Sequence, residues 1–302
     1  MNDRAGKQIL KEVSRSFYLT LRLLPKPMRE AASLGYLIAR TSDTIADTEG
    51  LPVQARSGLL EDYADSIAHG GPLPIWPEEM LGNATQGERA LLERADAILD
   101  WLGGIDPQQA RLIREVVATI IGGQLMDLRI FGCADVSNPI ALPDVASLDT
   151  YTWSVAGCVG AFWTKLGFLT LGGKFSNADP DTLLEAGIRY GKGLQLVNIL
   201  RDLPEDLEMG RCYLPVADPA DRVELMRTFE KWRRQAVEWV SDGRVYSETL
   251  GSRRLRASSV LPALIAGETL DLLEYPSWDS LQAGIKVPRR TVYRLLVEAL
   301  FF

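Results

Sequence analysis

Apolar residues recur along this chain at three- and four-residue intervals, and the period-two alternation of a surface strand is scarce. The pattern predicts helices over 5–18, 27–47, 53–69, 86–102, 107–131, 146–171, 180–202, 217–241, 257–274 and 289–301. Their ends carry the expected punctuation. Pro25 and Pro27 precede the second helix, and Gly50-Leu51-Pro52 follows it. Asp106-Pro107 and Asp179-Pro180 each read as an N-cap followed by proline in the first turn, where its missing N–H costs nothing. The Gly/Pro-rich stretch 70–87 is the clearest loop, and no composition shift or repeat marks a boundary there. One all-α domain spanning residues 1–302 is expected.

Tyr151 to Gly173 contains a single charge, Lys165, and is long enough to cross a bilayer. Lys165 lies well inside the run, however, and Thr152, Ser154, Thr164 and Thr170 make it amphipathic. A buried helix beside an apolar cavity is the better reading.

Composition narrows the function. The formal charge of −7 excludes a nucleic-acid partner, since phosphate backbones select basic surfaces, and suits a site that gathers carboxylates around cations. Cys133, Cys158 and Cys212 are odd in number and far apart, so neither a disulfide framework nor a thiolate metal site is indicated. The one histidine, His69, sits before Gly70-Gly71-Pro72 and reads as a surface residue. The N-terminus lacks the apolar core of a signal peptide, which points to the cytoplasm.

The candidate chemistry is acidic. Asp43 and Asp47 are i,i+4 on one predicted helix, with Arg40 a turn earlier. Gln195, Asn198, Asp202 and Asp206 follow i, i+3, i+7, i+11 spacing, a polar stripe in a segment otherwise rich in core residues, with Arg201 and Glu205 beside it. Carboxylate and amide oxygens are the ligands Mg²⁺ prefers, and Mg²⁺ usually bridges one or two carboxylates to substrate phosphates. Two such helices facing each other would clamp a diphosphate. Spacing alone leaves open that the second pair merely solvates a helix end and that Arg40 is an ordinary ion-pair partner. Pro204 falls between Asp202 and Asp206, so a kink or a fresh helical turn is expected there, rotating Asp206 from the ideal direction.

Four segments carry a resemblance: Ser14-Arg15-Ser16-Phe17, YLIARTSDTIAD at 36–47, YTWSVAGCVG at 151–160, and GLQLVNILRDLPEDLEMGRCYLP at 193–215. From about residue 8 to residue 300 the chain resembles the squalene/phytoene synthase family. The resemblance implies a single all-α bundle around a deep apolar channel. It implies Mg²⁺ at Asp43, Asp47, Asn198, Asp202 and Asp206, with Gln195 assisting. Arg40, Arg201, Arg211 and the Ser14–Ser16 turn would contact diphosphate, while Tyr36, Tyr151 and Phe17 would line the reacting centre. Aromatic faces there would stabilise a cation by about 0.5–2 kcal/mol each. The small residues Ala156, Gly157, Gly160 and Ala161 would admit a prenyl tail close to the backbone, or serve tight helix packing.

Within that family the motif style favours two farnesyl diphosphates condensed through presqualene diphosphate to squalene, which requires NADPH. Phytoene synthesis from two geranylgeranyl diphosphates is the alternative, as is a reaction ending at dehydrosqualene or presqualene diphosphate. A non-enzymatic assembly factor would have eroded aspartate motifs; a head-to-tail prenyltransferase or terpene cyclase would show DDxxD. Neither description fits. Three departures stand out: Ser154 where many relatives have an aromatic, Pro204, and Gly284 where an arginine is expected, with Lys286 close by. The chain ends at Phe302 without an anchoring helix, so a soluble enzyme with peripheral membrane contact for product release is expected.

Overall fold

The computed structural model describes residues 9–10, 12–13 and 17–302. Ser14, Arg15 and Ser16 therefore lie outside the described residues, as does the side chain of Phe17. Nine helices among the described residues frame the molecule: α1 (Lys26–Ala46), α2 (Val53–His69), α3 (Pro107–Phe131), α4 (Val145–Thr152), α5 (Cys158–Leu171), α6 (Pro180–Arg201), α7 (Arg222–Glu248), α8 (Arg253–Leu272) and α9 (Arg289–Phe301). Other helices, Ala95–Gly104 among them, are named by their residues. The all-α expectation holds, the helices packing side by side around one cavity.

Local chemistry sets the helix ends. Asp106 accepts the N–H groups of Gln108 and Gln109, Asp179 that of Thr182, Asp221 those of Val223 and Glu224, and Ser252 that of Leu255. Two of these caps correct the expected boundaries. Asp221 starts α7 at Arg222 and not at 217, because Asp218 first closes a turn onto the N–H of Ala220. Ser252 starts α8 at Arg253, four residues early.

Other departures have equally local causes. The helix expected over 86–102 breaks into Gln86–Leu92 and Ala95–Gly104, where the Trp76 indole donates to the Leu92 carbonyl and removes it from the helical ladder. The loop 70–87 contains a one-and-a-half-turn helix, Glu78–Asn83, with two acids in its first turn to favour the dipole. Near the N-terminus, Phe17 opens a helix that runs to Leu23, beyond the expected end at 18.

The apolar run 145–174 is long and apolar enough by composition to cross a membrane. It is instead the wall of the cavity, as expected. It is not one regular helix: Trp153–Gly157 is π-helical, the kind of bulge that marks functional sites. The wall is thin where it meets α6. A Cβ on Gly160 would stand 1.9 Å from the Gly187 carbonyl oxygen, and one on Gly191 would stand 2.3 Å from that of Ala156. Helices α5 and α6 thus touch backbone to backbone, while Ala156 and Gly160 also face the cavity. Of the two uses expected for the small residues, tight helix packing is the one seen.

A two-stranded parallel clasp, β1 (Ile140–Ala141) with β2 (Arg211–Cys212), was not legible from the alternation pattern. Ile140 N–H donates to Gly210 at 2.8 Å and Leu142 N–H to Cys212 at 2.9 Å. Gly210 has φ +77°, and a Cβ there would lie 2.4 Å from backbone atoms of Asp135, so only glycine lets Arg211 approach this way.

Candidate active site

Asp43 lies in the last turn of α1, and Asp47 caps the helix, its N–H donating to the Asp43 carbonyl at 2.9 Å. The i,i+4 relation therefore survives although α1 stops at Ala46. At the second pair α6 stops at Arg201, and a short helix, Leu203–Glu208, begins with Pro204 in its first turn. Of the two outcomes expected at Pro204, the fresh turn is the one seen. The Asp206 N–H still donates to the Asp202 carbonyl at 2.9 Å, so the proline redirects the chain without separating the pair.

The two aspartates of this second pair meet different surroundings. Arg201 holds Asp202 bidentately at 2.7 and 2.6 Å. Asp206 is deeper, with 14% of its side chain exposed, and meets Arg211 at 3.3 Å. Burial, with Asp202 and Asp127 as like-charged neighbours, pushes its carboxyl up to about 7 against the pull of Arg211. Asp43 lies in a narrow cleft open to water, 44% of its side chain exposed; one oxygen accepts from Gln124 at 2.7 Å and the other faces Arg40 at 3.8 Å. Burial within the protein mass and then the charge of Asp47 push its carboxyl up to about 6. Burial also raises Asp47 and Asp127. Arg211 acts on Asp47, Asp127 and Asp206 alike, while Asp127 feels the charge of Asp47 and is itself felt by Asp206. The two motifs converge through Asp127 and Arg211.

The remaining expected residues surround this centre. Arg40 is drawn onto Glu88 at 2.5 Å. Tyr36 donates to the Val13 carbonyl at 2.9 Å and also lines the cavity. Tyr151 is buried and stacks on Tyr213, ring centroids 4.7 Å apart, with Phe131 edge-on to Tyr213. Gln195 accepts from Asn198 at 3.4 Å, and Asn198 reaches the cavity lining. At Ser154, a Cβ on Gly123 would lie 2.8 Å from that of Ser154, so α3 packs close against this position.

Five contributors were missed from the sequence. Gln124 and Asp127, one turn apart in the apolar stretch IIGGQLMDLRIF, carried a usable signal, because polar groups on a buried face need partners. Tyr213, which donates to Asp127 at 2.6 Å, stood inside a quoted motif. Glu88 forms a capping box with Thr85, which gives no hint of Arg40. Arg56, fixed on the Ala46 carbonyl at 2.8 Å, carried no signal.

Beyond Tyr36 and Asn198 lies a cavity of about 480 Å³, within the range of small-molecule sites. Ala32, Val116, Ile120, Val159, Phe162 and Leu194 are typical of its lining. Among the described residues no three acidic or thiol groups form a ready metal cage. The chemistry of two buried groups fits a hydrated cation and an anion: Gln124 Oε1 is a buried acceptor without a donor, and Arg211 Nε a buried donor without an acceptor.

Polar head outside, dry tail space within, helices throughout: this is the construction of an enzyme for amphiphilic phosphate esters. The squalene/phytoene synthase profile matches residues 10–291, and the chain belongs to that family, prenyltransferases that condense isoprenyl units head to head. It is 28% identical to the presqualene diphosphate synthase of Zymomonas mobilis over 92% of this chain and 84% of that one. It is 27% identical to the squalene synthase of Yarrowia lipolytica over 97% of this chain and 66% of the yeast enzyme's length. In fold it matches the squalene synthase of Alicyclobacillus acidocaldarius with TM-score 0.61 at 18% identity, covering 95% and 93% of the two chains. The ligand complex of TcSQS with E5700 gives TM-score 0.79 at 22% identity, covering 98% and 85%.

Proposed function

We propose that this chain, working as one domain, condenses two farnesyl diphosphates through presqualene diphosphate to squalene, with NADPH as reductant. The observation that carries the reading is that Tyr36, Ala39 and Asn198 line an almost wholly apolar cavity, with Asp43 one helical turn beyond Ala39 and Asp202 one turn beyond Asn198. Asp43 and Asp47 on one side, and Asn198, Asp202 and Asp206 on the other, would hold Mg²⁺, with Gln195 orienting Asn198. Bound Mg²⁺ supplies positive charge opposite the diphosphate leaving group.

The chain's own groups do the rest. Arg211 presents a buried, unanswered N–H to an anion, and Arg40 exchanges Glu88 for a phosphate oxygen. Arg201 and the Ser14–Ser16 segment with Arg15 add further anion contacts. Apolar walls exclude water from the allylic cation, which would otherwise be quenched. The faces of Tyr36 and Tyr151 would stabilise its charge, the role the sequence also gives Phe17.

Likeness to the Zymomonas mobilis enzyme favours a second reading, in which the reaction ends at presqualene diphosphate. One experiment separates the readings. Purified protein is incubated with Mg²⁺ and farnesyl or geranylgeranyl diphosphate, with and without NADPH, and the products are extracted before and after phosphatase treatment. Squalene formed only with NADPH supports the main reading, and presqualene alcohol released only by phosphatase supports the second. Phytoene from the C20 substrate replaces both, and no C30 or C40 product sinks the synthase assignment.

A further inference from the structure

Helix α9 has a buried side and an outer side that are both apolar. Leu295 and Ala299 pack with Ala257, Val260, Leu261 and Leu264 of α8. On the opposite side Tyr293, Val297, Leu300 and Phe301 are exposed, at 68%, 55%, 46% and 76%. Their spacing of i, i+4, i+7 and i+8 places them on one face of the helix. Single exposed apolar residues need no explanation; a contiguous stripe on one helix does.

Charge identifies the occupant. Between Asp279 and Glu298 the chain has four basic residues, Lys286, Arg289, Arg290 and Arg294, and no acidic one, in a protein of net charge −7. Lys286, Arg289 and Arg290 are exposed at the start of α9, and Arg294 is held against the helix by Glu268. A second basic group stands toward the other end. Arg22, Arg29 and Arg254 are close enough for their charges to act on one another, and Leu23, next to Arg22, packs on the same apolar cluster as Phe302. Apolar and aromatic side chains flanked by cations are the composition of a helix lying in a bilayer surface. We propose that α9 docks this enzyme on an anionic lipid bilayer, with Tyr293, Val297, Leu300 and Phe301 entering the interface and the arginines meeting lipid phosphates.

The placement is useful. While Val260, Leu261 and Leu264 of α8 face α9, Ser258, Ser259 and Pro262 of the same helix line the tail cavity. One helix thus separates the docked surface from the hydrocarbon-binding space. Its internal proline, Pro262, removes a ladder hydrogen bond in that wall.

The test uses the whole protein without substrate, so its result is independent of the reaction catalysed. Flotation with phosphatidylcholine vesicles is compared with vesicles containing about 30% phosphatidylglycerol, since anionic headgroups attract each nearby arginine. Binding is expected to the anionic vesicles and to weaken with salt. Arg289→Glu with Arg290→Glu should lower the partition coefficient roughly tenfold or more, and Val297→Ser with Phe301→Ser should lower it by a similar factor. Circular dichroism checks that the variants remain folded, and Ile75→Ser, at an exposed isoleucine in the loop after α2, serves as the control that should leave binding intact. No vesicle binding by the parent protein overturns the proposal, as does binding that these four substitutions leave unchanged. So does a dimer, seen by light scattering, that the same substitutions abolish in the absence of any vesicle affinity.

Discussion

Asp43 combines a fixed hydrogen bond from Gln124 with two charges of opposite effect, Arg40 and Asp47. Without a cation the pair is held in mutual repulsion, so Asp43→Asn should stabilise the ligand-free protein by about 1 kcal/mol, because the amide oxygen still accepts from Gln124. The same change should lower turnover on the order of 10²–10³-fold through loss of metal and leaving-group stabilisation. Thermal melts and initial rates measured side by side check both signs; near-full activity in this variant or in Asp202→Ala would overturn the clamp. Tyr213→Phe should act differently. It removes the donor to the buried Asp127, leaving that carboxylate short of a partner, and should cost about 1–3 kcal/mol in urea unfolding. Among single residues, the aspartates could be singled out because two carboxylates at helical spacing invite a cation between them, although spacing alone left open that they solvate a helix end. Arg56 and Glu88 were not, since their partners are fixed by helix packing and lie far away in sequence.

At the level of elements, periodicity located nearly every long helix, and the errors fall where one side chain overrides it. Trp76 takes the carbonyl of Leu92, and Asp221 takes the first N–H groups of α7. The π-helical stretch and the β1–β2 clasp left no period to read. Close packing supplies a stringent test: Gly160→Ala drives a methyl into the Gly187 carbonyl and should destabilise by about 1–3 kcal/mol or more. A shift in the urea midpoint at unchanged slope would register it. The caps make a pH prediction. Hydrogen bonds from Thr182 hold the Asp179 carboxyl below its ordinary range. Its contribution is therefore complete above the unfolded value of about 3.9 and disappears as pH falls through the lower folded value. Asp179→Asn should flatten the dependence of melting temperature on pH below about 5, relative to the parent.

For the whole molecule, stability and ligand binding are one equilibrium. Mg²⁺ with inorganic diphosphate at about a hundred times its dissociation constant should add about 2.7 kcal/mol, seen as a higher melting temperature. Either component alone should do much less, because each completes the other's site. Chelation of the metal should return the protein to the ligand-free melting temperature. The fold class and the existence of an apolar cavity were readable from the chain. The route by which Asp127 and Arg211 join the two aspartate motifs was not, because it depends on α3 and the clasp meeting in space.

The contact between Gly160 and Gly187 also bears on re-engineering the cavity, because its lining positions do not offer equal room for a larger side chain. Along this seam the lining is polypeptide backbone, so any added atom lands between helices and not in the tail space. Productive diversity should come from the side chains that α1 and α3 turn toward the cavity, at Ala32, Val116 and Ile120, with the seam left untouched.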